Sequence, residues 1–172
     1  TMAPTKPKNK SKKSKDRARL KVASSQTSIN PKELLDRATT LLEEGDIETA
    51  AKVARTAYEH IGENGRHAGA ALTLLGQIHV ELGDIDAARN YYAAAVKVDE
   101  DGSLPEELGG GPEKFLWLAQ LSEEGGHDSV AWFERGATVL RAQIQSLMDS
   151  LEQRPLSRGQ VEAAIADKRR RR

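Results

Sequence analysis

Residues 72–92 read LTLLGQIHVELGDIDAARNYY. Leu72, Leu75, Gly76 and His79 recur at the helical period, Gly83-Asp84-Ile85 interrupts it, and Ala88 and Tyr92 resume it on a second helix. Gly76 and Ala88 are small enough for the two backbones to approach closely, while Tyr92 fills the space beside them. The same arrangement stands earlier in the chain. Gly45-Asp46-Ile47 precedes Gly83-Asp84-Ile85 by 38 residues, and Leu34, Ala38, Leu41, Ala50 and Ala54 occupy the matching positions in a smaller-residue version. Leu34 to Ala50 and Leu72 to Ala88 are both 16 residues apart.

This spacing resembles the tetratricopeptide signature, a helix–turn–helix of 34 residues with W-x2-L-G-x2-Y on the first helix and A-x3-F on the second. The turn Gly62-Glu63-Asn64-Gly65 absorbs the difference in length. No segment alternates like a strand, so an all-α right-handed solenoid of helical hairpins is expected. Helices are predicted at 31–44, 47–61, 67–82, 85–98, 112–124, 128–152 and 158–170. Asn30 and Pro31 open the first, and Ser157 with Gln160 forms a capping box at the last. In the third pair, Phe115, Leu118 and Ala119 fit the first helix, whereas Ser129 and Phe133 fit the second only after a slip of two positions. The seventh helix presents Val161, Ala164 and Ile165 with no eighth helix to cover them, and the expectation is the N-terminal part of a longer array, three pairs plus the first helix of a fourth, over residues 30–172. Between the second and third pairs, Asp99 to Gly111 reads as a flexible acidic surface loop.

A net charge of zero conceals strong asymmetry. Residues 1–21 carry nine Lys/Arg against Asp16, and residues 167–172 carry five against Asp167, which leaves a body at −12. Residues 1–29 have almost nothing to bury and are expected to be a disordered basic tail. Lys6, Lys8, Lys10, Lys12, Lys13, Lys15, Arg17 and Arg19 form the kind of run that serves as a nuclear import signal. No aromatic residue stands among them to stack on bases, so no direct specific nucleic-acid binding is expected. No apolar run approaches 18 residues and the N-terminus is polar, so neither a membrane span nor a secretory signal is expected. The expected compartments are cytoplasm and nucleus.

Chemistry is sparse. Without cysteine there is no disulfide, thiolate zinc site or cysteine nucleophile. His60, His67, His79 and His127 lack metal-ligand spacing, and His79 occupies a slot usually filled by a packed aromatic ring. Gly109-Gly110-Gly111-Pro112-Glu113-Lys114 lacks the spacing of a phosphate loop and follows no strand. Neither an enzyme, a metal site nor a cofactor is expected.

Tetratricopeptide arrays bind ligands on the concave face lined by the first helix of each pair. The slots facing that groove hold Leu35, Thr39, Leu42 and Glu43, then Thr73, Gln77, Val80 and Glu81, then Glu113, Leu116, Gln120, Glu123 and Glu124. The Lys, Arg and Asn clamp with which co-chaperone arrays seize a C-terminal carboxylate is missing. An acidic lining with apolar patches instead complements an extended basic polypeptide, with the glutamates attracting cations and Leu35, Val80 and Leu116 gripping apolar stems. The plainer reading of the same acids is a solvated helix surface.

A further stretch is more specific. Gly111-Pro112-Glu113-Lys114-Phe115-Leu116-Trp117-Leu118-Ala119-Gln120-Leu121-Ser122-Glu123-Glu124-Gly125-Gly126, with Ser129-Val130-Ala131-Trp132-Phe133-Glu134-Arg135-Gly136 after it, resembles the eukaryotic tetratricopeptide assembly chaperones dedicated to the fourth universal large-subunit ribosomal protein. The resemblance implies a chaperone that binds its newly made basic client, shields a long internal loop and escorts it to the nucleus for ribosome assembly. A partnership with an import receptor through the N-terminal tail suits that route. The competing reading is a tetratricopeptide scaffold that joins protein subunits and touches RNA through its basic tail.

Overall fold

The computed structural model describes residues 29–171, so the run from Lys6 to Arg19, with its import reading, lies outside the described residues. Among the described residues seven α-helices follow one another: α1 (Pro31–Glu43), α2 (Ile47–Ile61), α3 (Ala68–Glu81), α4 (Ile85–Val98), α5 (Glu113–Gln120), α6 (Gly126–Glu152) and α7 (Arg158–Arg170). A single 3-10 turn, Glu106–Leu108, lies between α4 and α5. No strand occurs among the described residues. Each helix from α1 to α6 packs on its neighbour in sequence, and α1 also touches α3, as stacked hairpins require.

The recurring Gly-Asp-Ile has a direct cause. Gly45 and Gly83 adopt φ of 87° and 76°, which breaks α1 and α3 at little steric cost. The following aspartates cap the next helices, with Asp46 Oδ1 accepting from the Thr49 amide at 3.4 Å and Asp84 Oδ1 from the Ala87 amide at 3.2 Å. Asn30 accepts from the Lys32 amide at the head of α1, and the predicted capping box at Ser157 and Gln160 is present.

Small residues set the helix spacing. Ala38, Ala50, Ala51 and Ala54 are buried against Leu75 and Ile78 and join the first hairpin to the second. A Cβ added at Gly76 would lie 2.8–2.9 Å from three ring atoms of the buried Tyr92. Tyr92 in turn stacks on Trp117 of α5, with centroids 6.1 Å apart and planes 10° apart. His79 is buried, its Nδ1 lies 2.8 Å from the Leu75 carbonyl, and its ring packs on Tyr91.

The third hairpin departs from the expected pattern. Helix α5 ends at Gln120 rather than 124, because Gly125 and Gly126 take positive φ and Ser122 Oγ accepts the Gly125 amide. The register of α6 slips by one residue, not two. Phe133 is 45% exposed, while Trp132 packs on the core and Gly136 and Val139 are buried. Their spacing of four and three repeats that of Ala88, Tyr92 and Ala95, all buried on α4. Beyond Val139 the long helix is solvent-exposed along Leu140, Ile144, Leu147 and Leu151, and α7 buries no residue.

The Asp99–Gly111 connection is acidic but not loose. Lys114, 1% exposed, donates from Nζ to Asp99 Oδ2 at 2.7 Å, and the carbonyls of Gly109 and Gly111 lie at 3.2 and 3.4 Å. Asp99 Oδ1 accepts the Leu104 amide at 3.1 Å. Leu108 is buried, and its carbonyl lies 2.6 Å from where a Cβ on Gly69 would stand, so only glycine lets the segment cross the start of α3. Arg135 of α6 completes the anchorage. It donates to the Glu100 carbonyl at 3.0 Å, and its guanidinium lies 4.9 Å from the ring centroids of both Phe115 and Trp132.

Two stability measurements check this packing. Gly76→Ala gains helix propensity yet should lose about 1–3 kcal/mol in urea unfolding, because the added methyl collides with the Tyr92 ring. Lys114→Met should lose about 3–5 kcal/mol, because it strands the Asp99 carboxylate in the interior. Limited proteolysis of that variant should open first between residues 99 and 111.

Candidate functional site

The first-helix geometry converges most clearly between α1 and α3. Thr39, Leu42 and Glu43 from α1 face Gln77 and Glu81 from α3 around a hollow of about 310 Å³, with Ile47 of α2 completing its wall. Thr39 gives its hydroxyl hydrogen to the Leu35 carbonyl at 3.0 Å, which leaves its methyl as the group free for contact. Leu42 and Ile47 supply a half-buried apolar surface. Gln77, exposed, offers both donors and acceptors there.

The electrostatics of this hollow are one-signed. Glu43 and Glu81 are the last residues of α1 and α3, where unpaired carbonyls leave the negative end of the helix dipole. A carboxylate is disfavoured there, and a cation favoured. Helix α1 has no basic residue in its last turn, and no Lys or Arg lines the hollow. Among the described residues neither Glu43 nor Glu81 is in an ion pair. Two carboxylates and two helix ends thus concentrate negative potential over an apolar floor.

Other groove candidates are placed differently. Leu35 is 7% exposed and packs with Ala57 and Ala71, so it is core rather than lining. Its slot sits where the second hairpin stacks on the first. Glu123 follows the shortened α5 and pairs with Arg89 of α4 at 3.1 Å, while Arg89 also holds Asp86 at 3.0 Å. Its carboxylate therefore already has a cation, which it shares with Asp86. Thr73 Oγ1 donates to the Gly69 carbonyl at 2.9 Å, and Val80 packs toward Tyr92 and Phe115. Leu116 lies against α6, where a Cβ on Gly136 would meet its Cδ2 at 2.7 Å. Glu113, Gln120 and Glu124 are exposed but do not line the hollow. Glu113 is close enough to Tyr92 to act on its phenol. Burial raises the Tyr92 pKa above the ordinary tyrosine value, with Glu113 adding to the rise.

Ile47 was not among the expected groove residues, yet it lines the hollow. Slot counting assigns the groove to first helices only, whereas the tight Gly45-Asp46 turn tucks the start of α2 against it. The recurrence of isoleucine after Gly-Asp in both hairpins is the signal that marks this position.

A second, larger hollow of about 610 Å³ opens at the other end of the hairpins, where the long α2–α3 turn spreads them. Tyr58, Glu63, Asn64, Leu72, Lys97 and Val98 are among its walls. Burial raises the Tyr58 pKa, with Glu63 and Tyr91 adding to it. Glu63 and Lys97 oppose one another in sign, so this hollow has no net preference for a cation or an anion. Among the described residues no group of three or more His, Asp or Glu side chains is placed to hold a metal ion. Nor is any described helix long and apolar enough to cross a membrane.

Comparison with known proteins agrees with this architecture. Residues 41–105 match the tetratricopeptide repeat model, and the stacked helices α1–α6, with no strand among the described residues, are consistent with an all-helical tetratricopeptide solenoid. The chain is 49% identical over 112 residues, 65% of its length and 29% of the relative's, to an Emericella nidulans protein named a probable assembly chaperone of rpl4. It is 29% identical over 113 residues, 66% of its length and 31% of the relative's, to a Schizosaccharomyces pombe protein of the same name. The matched part thus spans under a third of the length of these curated relatives.

The apolar floor gives one test that needs no natural ligand. Ile47→Ser should weaken binding of a fluorescent arginine- and leucine-containing peptide about threefold to tenfold in anisotropy titrations, since a half-buried isoleucine contact contributes about 1 kcal/mol.

Proposed function

We propose that this chain is the ligand-binding portion of a dedicated chaperone for a basic large-subunit ribosomal protein, the fourth in the universal numbering. The observation that carries the reading is the hollow between α1 and α3, where Glu43 and Glu81 stand unpaired among the described residues above Leu42 and Ile47. The names of the two relatives support the choice of client. An extended ribosomal-protein segment presents guanidinium and ammonium heads on flexible apolar stems. Its stems lie on the apolar floor and its heads reach the two carboxylates.

The physical task is competition. Such a segment binds any RNA through phosphate charge until it reaches its proper site. A negative hollow occupies those cations in the meantime and releases them when the ribosomal precursor offers a denser array of phosphates. The proposal extends to delivery. The chaperone loads its client in the cytoplasm and enters the nucleus with it, using an import receptor that engages the run from Lys6 to Arg19.

The test is charge reversal at the hollow. In titrations against the basic internal segment of the ribosomal protein, Glu43→Lys with Glu81→Lys should weaken binding by about tenfold or more at low salt. The dependence on salt should also become shallower, since fewer ions are exchanged. Unchanged affinity together with an unchanged salt slope overturns the reading. Nuclease treatment before a pull-down adds a second discriminator, because a chaperone keeps its client when RNA is destroyed.

A further inference from the structure

We infer that the hollow between α1 and α3 has an internal occupant: the segment Arg17-Ala18-Arg19-Leu20-Lys21 of this same chain, which a basic client must displace. The inference deepens the proposed reading and rests on the same hollow. Three observations support it.

The first is charge. Glu43 and Glu81 have no cation partner among the described residues, and the hollow lies at two helix C-termini. Residues 1–21, by contrast, carry nine Lys/Arg against one aspartate. Opposite charges joined by one chain meet at an effective concentration of millimolar order, without any loss of translational freedom.

The second is reach. The segment enters the fold at Asn30, the cap of α1, and the hollow lies at the far end of that helix. Thirteen helical residues span roughly 20 Å at 1.5 Å each. An extended chain covers about 3.3–3.6 Å per residue, so six or seven residues cross that distance. Lys21 stands nine residues before Asn30, which leaves slack for Arg19 and Arg17 to follow it.

The third is pattern. Arg17, Arg19 and Lys21 stand around Leu20 within five residues, so one short segment carries both cationic heads and an apolar side chain. That combination matches a hollow with an apolar floor of Leu42 and Ile47 beside the carboxylates of Glu43 and Glu81. The hollow, about 310 Å³ in volume, accommodates a few side chains and not a folded partner. The more N-terminal lysines lack this combination, because no leucine, isoleucine or valine stands before Leu20.

The arrangement has a regulatory consequence. Without client, the arm shields the hollow from stray cationic peptides. A client that binds more tightly expels the arm and frees its basic residues for another partner, so loading and exposure of the arm become one event. By linkage, whatever captures the freed arm strengthens client binding by the same factor.

The experiment uses the full chain and its Arg17→Gln, Arg19→Gln, Lys21→Gln variant. A fluorescent octalysine peptide serves as probe in anisotropy titrations at low and moderate salt. The variant should bind the probe about tenfold more tightly than the parent at low salt, as removal of a competitor at millimolar effective concentration requires. Equal affinity overturns the inference. In parallel, zero-length carbodiimide cross-linking of the monomeric parent, mapped by mass spectrometry, should join Lys21 to Glu43 or Glu81. Links from Lys21 only to other carboxylates, or none, also overturn it. If octalysine binds neither protein, the basic-ligand reading of the hollow fails by itself. The cross-link then decides the arm alone, its presence supporting the inference and its absence overturning it.

Discussion

Close approach of helix backbones at small residues is the constraint on which everything else in this molecule depends. Ala38 against Ala50 and Ala54 in the first hairpin, and Gly76 beneath the Tyr92 ring in the second, hold each pair at a spacing that larger residues would prevent. That spacing lets α3 lie beside α1 as well as on α2. Only then do Glu43 and Glu81, 38 positions apart in sequence, border one hollow. A methyl group in the wrong place would therefore alter binding through geometry, without touching a ligand contact.

The connection between the second and third hairpins shows how a polar segment becomes part of a scaffold. Asp99 and Lys114 are an ion pair taken almost wholly out of water. Such a pair is worth little against an apolar substitute, but breaking it by removing one partner is costly. Its value here is positional. Lys114 gathers two backbone carbonyls in addition to Asp99, and so fixes the route of the chain from α4 into α5. Arg135, held between Phe115 and Trp132, ties the same route to α6.

Much of this was legible in the sequence wherever the determinants are local and periodic. Gly76, Ala88 and Tyr92, the Gly-Asp turns and the Ser157 box depend on spacings of a few residues, which a linear reading contains. Long-range pairings are of another kind. Nothing local distinguishes Lys114 from a solvated lysine, or Glu123 from a free groove acid, because their partners Asp99 and Arg89 are remote in sequence. Leu35 occupies a groove slot by count, yet the neighbouring hairpin stacks over it. Phe133 is exposed while Trp132, Gly136 and Val139 face the core, in a helix that begins at Gly126, two residues before its expected start. The groove was thus readable as acidic, though which of its acids stand together depended on tertiary contacts.

Glu43 and Glu81 sit at the ends of their helices, where a negative side chain opposes the alignment of the peptide dipoles. Each forgoes about 0.3–1 kcal/mol of helix stability that a lysine would provide. A screen for thermal robustness would accordingly favour replacing both, and would discard the ligand preference in the process. Selection for folding and selection for binding pull in opposite directions at these two positions, so the hollow persists only in a chain that is used.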